Sequence, residues 1–177
     1  FVGGSVSGFA DMMNSKAKEL GCVSTNFVNP NGIHNENHYS SAYDLALIGK
    51  AAYSNSTLRT IASTVTYTLP NNEVYTGDSR IFNTTNLLLR KSRKGYYEYA
   101  NGLKTGYTDA AGFCIIASSE KNGVNLIAVI LNSDNTTNST TSREADCKRL
   151  FEYGFNNYSY SNLISSGDVA TNITIAN

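Results

Sequence analysis

Asn101-Gly102-Leu103-Lys104-Thr105-Gly106-Tyr107-Thr108-Asp109-Ala110-Ala111-Gly112 leads directly into Phe113-Cys114-Ile115-Ile116-Ala117, an apolar run with the character of a buried strand. On the strand beside it, a cation, a hydroxyl and a residue without a side chain stand in succession. Lys104 and Thr105 can hold a carboxylate, and Gly106 lets an extended peptide lie close against the backbone. Taken alone, Lys104 reads as a solvent-exposed strand lysine. The rest of the chain decides between the two.

Downstream, Glu120-Lys121-Asn122-Gly123 reads as a tight turn, and Asn125 to Leu131 as a third strand. A polar loop, Ser133 to Thr141, follows. Ser142 or a neighbouring Thr then opens a helix through Ala145, Leu150 and Phe151, with Gly154 as its expected stop. After Phe155 the pattern changes to alternating Tyr, Ile and Val. The expected organisation is therefore a main unit over 1–155 and, over 156–177, the start of a small β-rich domain or a linker.

Upstream, Phe9, Met12, Met13, Ala17 and Leu20 recur at helical spacing, with Gly21 as a C′ stop. Residues 1–20 read as one helix, or as the end of one and the whole of another broken near Gly3-Gly4. Asn29-Pro30-Asn31-Gly32 is a turn cluster. Tyr43 to Tyr53 is an amphipathic helix capped by Ser40 or Ser41, with Leu45, Ile48 and Ala52 facing inward, and a short helix is expected over Ser56 to Ala62. Thr64 to Thr76 reads as a hairpin turning at Pro70-Asn71-Asn72 and returning through Val74-Tyr75. Helices, then three strands, then a helix describe an α/β protein with α+β layers, its sheet mostly antiparallel.

Composition narrows the function classes. Lys plus Arg and Asp plus Glu both number 14, so no net charge favours nucleic acid or anionic lipid. Cys22, Cys114 and Cys147 lack metal spacing and read as buried or half-buried thiols, Cys114 best of all. A disulfide between two of them stays open. His34 and His38 have a helical metal spacing, but the turn cluster before them argues against a helix and no third ligand is evident. No metal and no cofactor are expected. Tyr96-Tyr97-x-Tyr99 could stack on a glycan or pack a half-buried surface.

An ordered set of motifs goes further. Asn29-Pro30-x-Gly32, Tyr39-Ser40-Ser41-Ala42-Tyr43-Asp44-Leu45-Ala46, Thr85-Asn86-Leu87-Leu88, Gly102-Leu103-Lys104-Thr105-Gly106-Tyr107-Thr108, Arg143-x-x-Asp146 and Tyr153-Gly154-Phe155 occur in that order. The set resembles the serine D-alanyl-D-alanine carboxypeptidases, the low-molecular-mass penicillin-binding proteins of the peptidase S11 family. The resemblance implies a β-lactamase/DD-peptidase-like fold, a peptidoglycan stem peptide ending in D-Ala-D-Ala as substrate, acylation by β-lactams, and a place at the outer face of the bacterial cytoplasmic membrane. It implies that Lys104 and Thr105 face the substrate carboxylate and that Gly106 lets the peptide pack along the strand. The Tyr107 N–H would be an oxyanion donor, and Arg143 would assist the carboxylate site.

Members of that family carry Ser-x-x-Lys, then Ser-x-Asn, then Lys-Thr-Gly, the serine being the nucleophile and its lysine the base. Ser15-Lys16-Ala17-Lys18, Ser118-Ser119-Glu120-Lys121 and Ser133-Asp134-Asn135 spell these motifs but stand in the wrong order or setting. The sequence is thus expected to begin just after the second motif, to lack the nucleophile, its base and the N-terminal strands, and to be inactive alone. Any membrane anchor is expected beyond Asn177. A sheet edge left open along 125–131 would favour self-association. A class A-like β-lactamase fragment and a non-catalytic wall-peptide-binding module are the alternatives.

Overall fold

The computed structural model describes residues 2–77, 79–133 and 142–161. Three helices come first. α1 (Val6–Glu19) starts at Ser5, whose side chain accepts from the Gly8 N–H at 2.9 Å. It begins after Gly4 rather than at Phe1, so the break near Gly3-Gly4 precedes a single helix. At its other end Gly21 takes φ +89°, its N–H donates to Lys18 O, and the Cys22 N–H donates to Ala17 O. That is a Schellman stop, and it needs a residue free to turn left-handed. α2 (Ala42–Ser54) is capped by Ser41, and α3 (Ser56–Ser63) by Asn55.

The sheet is a three-stranded antiparallel meander of β3 (Ala100–Thr108), β4 (Gly112–Lys121) and β5 (Val124–Ser133), in that spatial order. Asn122 and Gly123, with φ of 52° and 78°, form the two-residue turn between β4 and β5. Both central residues having positive φ is the type I′ geometry whose twist suits a hairpin. Strand alternation then divides the side chains between two faces. Ile116 and Ile127 point at α2, where a β-carbon on Gly49 would sit 2.8 Å from Ile116 Cγ2. Ile115, Ala117 and Ala128 point the other way, into a core with Leu88, Tyr97, Cys147 and Phe151 from α4 (Ser142–Asn157) and the segment before β3. The Tyr97 and Phe151 rings stack at 5.8 Å, and the Tyr97 hydroxyl donates to Glu152 at 2.6 Å. Tyr97 and Tyr99 thus pack against α4.

Four local expectations are corrected. The hairpin pairs β1 (Thr66–Leu69) with β2 (Arg80–Asn83), not with Val74-Tyr75, which lie in the longer connecting loop. In α2 the fully buried positions are Asp44 and Gly49, while Leu45, Ile48 and Ala52 are half-buried. Gly154 does not end α4, which runs on to Asn157; a β-carbon there would meet Leu126 Cδ1 at 2.5 Å, so the glycine serves close helix–strand approach. The three cysteines are free thiols, buried or half-buried as expected, but the fully buried one is Cys147 rather than Cys114. The polar loop after Ser133, most of Ser133-Asp134-Asn135 and the tail from 162 lie outside the described residues. None of the described helices is long and apolar enough to cross a membrane.

Candidate active site

β3 is an outer strand, and one of its edges has no strand partner among the described residues, the kind of edge to which an extended peptide can add. Lys104 is exposed on it, and its ammonium donates to the Thr105 carbonyl at 2.5 Å. Thr105 is 7% exposed, and its hydroxyl lies 2.5 Å from that of Thr85. Asn86, fully buried, holds Thr85 in place: its amide donates to Gly102 O at 2.9 Å and accepts from the Leu88 N–H at 3.0 Å. At Gly106 a β-carbon would meet only Cys114 Cβ, at 3.9 Å. Packing within the chain therefore leaves room for a side chain there.

Tyr107 is exposed, with its ring 4.5 Å from that of Phe113. Its hydroxyl donates to Asp109 at 2.9 Å, and that hydrogen bond, with the carboxylate's charge, holds the phenol above its ordinary pKa. Arg143, at the start of α4, reaches back over Phe113 and donates through Nη1 to the carbonyls of Gly106 and Cys114, each at 3.3 Å. It does not bond Thr105. The guanidinium instead ties β3 to β4 at a cross-strand pair.

Lys104, Thr105, Gly106, Tyr107 and Arg143 line one cleft of about 680 Å³. Its opposite wall is the loop from Phe27 to His38, including the Asn29-Pro30-Asn31-Gly32 turn. Two hydrogen bonds clamp that loop to α1: Asn14 Nδ2 donates to Phe27 O at 2.8 Å, and the Phe27 N–H donates to Asn14 Oδ1 at 2.7 Å. His38 accepts from the Val28 N–H through Nδ1 at 3.2 Å, and its ring meets that of Phe27 edge-on. The base of the loop is fixed by Asp44, buried at the start of α2, which accepts from the Ser24 N–H and the Thr25 hydroxyl at 2.7 Å each.

Sequence reasoning assigned no role to Asn14, Asp44 or Thr85. Thr85 stood in a quoted motif, but only its contact with Thr105 reveals a place at the site.

The two serine strings that are fully described lie apart from this cleft. Ser118 is fully buried and donates to Asn101 Oδ1 at 2.7 Å. Ser15 and Lys18 are exposed on α1, where Lys16 pairs with Glu19.

A cation, a hydroxyl and a glycine with room beside it thus stand in succession on an outer strand of the sheet. In a comparison with known families, residues 1–135 match the model of the D-alanyl-D-alanine carboxypeptidases, peptidase S11. The chain belongs to that family. It is 34% identical over 158 residues to the D-alanyl-D-alanine carboxypeptidase DacF of Bacillus subtilis, covering 89% of this chain and 38% of that protein. The Streptomyces sp. K15 D-alanyl-D-alanine carboxypeptidase is 34% identical over 153 residues, or 85% of this chain and 49% of the relative. The crystal structure of the Streptomyces K15 DD-transpeptidase superposes with a TM-score of 0.74 at 32% identity, covering 84% of this chain and 54% of that one. A Mycobacterium tuberculosis D-alanyl-D-alanine carboxypeptidase gives 0.73 at 25% identity, with 85% and 54% covered. This S11 chain therefore spans less than half the length of these two curated relatives and about half of the solved ones.

Proposed function

We propose that these residues form the substrate-strand half of a serine D-Ala-D-Ala carboxypeptidase that trims peptidoglycan stem peptides and is acylated by β-lactams. The supporting observation is the edge strand Lys104-Thr105-Gly106, open to the cleft that also holds Arg143. Lys104 and Thr105 take the terminal carboxylate, Gly106 gives the peptide room along the strand, and the Tyr107 N–H is one of two oxyanion donors. A serine Oγ attacks the penultimate D-Ala carbonyl, the terminal D-Ala leaves, and water hydrolyses the acyl-serine. Ser118 is buried and hydrogen-bonded, and Ser15 sits exposed on α1, so neither is suited to that attack. The nucleophile and its base are supplied by residues outside these 177.

The family match favours this reading over the β-lactamase and non-catalytic alternatives. The cell envelope is the place of action that goes with this reading, and the outer face of the cytoplasmic membrane is where its stem-peptide substrate would be met. The outer edge of β5 has no strand partner among the described residues, which supports pairing of two copies along 125–131. Release of D-alanine from a D-Ala-D-Ala peptide tests the activity. The whole protein should release it and the 177-residue polypeptide should not; turnover by the 177 residues alone would refute the division of the site.

A further inference from the structure

Glu144 is fully buried, and the site as described gives it no task. One carboxylate oxygen accepts from Arg143 Nε at 3.0 Å, and the other has no hydrogen-bond partner among the described residues. Burying a charge is costly unless it is paired, and its orphaned oxygen makes Glu144 a poor device for stability alone.

The planar guanidinium of Arg143 has five N–H donors in a fixed fork. Nε takes Glu144, and Nη1 takes the carbonyls of Gly106 and Cys114, which face one another across β3 and β4. Once Nε and Nη1 are fixed, the direction of Nη2 is fixed as well, and Arg143 lines the cleft. The geometry points to Glu144 as a positioning residue for substrate recognition. It locks the rotation of Arg143 so that Nη2 donates to the terminal carboxylate of the peptide while Nη1 braces the Gly106 end of the substrate strand. Glu144 acts through Arg143 and touches no substrate. This rests on the reading of Lys104, Thr105 and Arg143 as the carboxylate site.

The test uses the whole protein and two acyl donors: a peptide ending in D-Ala-D-Ala, and the same peptide whose leaving group lacks the carboxylate. Glu144→Gln keeps the shape and removes the charge. It should raise KM for the first donor about tenfold, leave kcat within about twofold, and leave the second donor unaffected. Glu144→Asp, which keeps the charge, should recover part of the loss, and it takes over the test if the glutamine variant melts early. Equal losses with both donors would make Glu144 merely structural, and no loss with either would also overturn the proposal. Arg143→Ala separates the two layers. If it raises KM for the first donor while Glu144→Gln does not, only the positioning role fails. If Arg143→Ala leaves that KM unchanged, the carboxylate role of Arg143 itself fails.

Discussion

The hydroxyls of Thr85 and Thr105 lie 2.5 Å apart, joining the turn before the 3-10 helix Leu87–Leu89 to β3. Each hydroxyl has one proton to give. If Thr105 is to donate to a carboxylate, Thr85 must be the donor within the pair. Thr105→Val should therefore lower kcat/KM for a D-Ala-D-Ala peptide about ten- to a hundredfold, as for loss of a hydrogen bond to a charged group. Thr85→Val should lower it only about two- to tenfold, as for a neutral one. Steady-state kinetics on the whole protein check the order; the reverse order would mean that Thr85 is the residue that meets the substrate.

Asp44 secures the base of the opposite wall. Its hydrogen bond from Thr25, above all, holds the carboxyl below its ordinary pKa against the opposing effect of burial, with Ser24, Val23 and Ser41 adding to the lowering. A depressed folded-state value stabilises the protein above the unfolded value of about 3.9, and this is lost as pH falls through the folded one. Asp44→Asn should lower stability at neutral pH and flatten the loss of stability below about pH 4. Denaturant melts across pH 2–7, a range chosen to bracket about 3.9, read this directly; parallel curves for the two proteins would contradict it.

Gly49 separates two opposing effects. Alanine gains about 1 kcal/mol of helix propensity over glycine. The added β-carbon would lie 2.8 Å from Ile116 Cγ2 and 3.4 Å from Ile127 Cγ2, and overpacking of this kind costs about 1–3 kcal/mol. Overpacking wins at a site squeezed between a helix and two strands. Thermal unfolding should show Gly49→Ala less stable and Gly49→Val more so.

The β5 edge is open in its backbone more than in its side chains. Residues 126–130 are half-buried or buried beneath α2 and α4, and Leu131 is exposed. The 177-residue polypeptide should self-associate at micromolar concentration, and Leu131→Lys should weaken this by charging the edge. Sedimentation velocity decides; a monomer before substitution would count against the pairing.

Layer order and the strands of the main sheet were legible because short-range chemistry sets them: Asn122-Gly123 fixes a hairpin, Gly21 ends a helix through local backbone bonds, and Ser41 opens one through its side-chain hydroxyl. What was not legible depends on partners distant in sequence. Val74-Tyr75 alternates as well as Arg80 to Asn83 does, and nothing local says which returns to Thr66. Gly154 looks like a stop until Leu126 is placed beneath it. Lys104, Thr105 and Gly106 could be picked out by residue type and Tyr107 only by resemblance, whereas Asn14, Thr85 and Glu144 act only through contacts 13, 20 and 1 residues away in sequence. Of these only the last is local, and its meaning depends on where Arg143 reaches.

The division of the active site is tested most directly by acylating the whole protein with a penicillin and mapping the adduct by peptide mass spectrometry. The adduct should fall on a serine outside residues 1–177, and Lys104→Ala should slow its formation at least about tenfold without unfolding the protein. An adduct on Ser15, Ser118 or any other serine of these 177 residues, or labelling indifferent to Lys104, would contradict the reading.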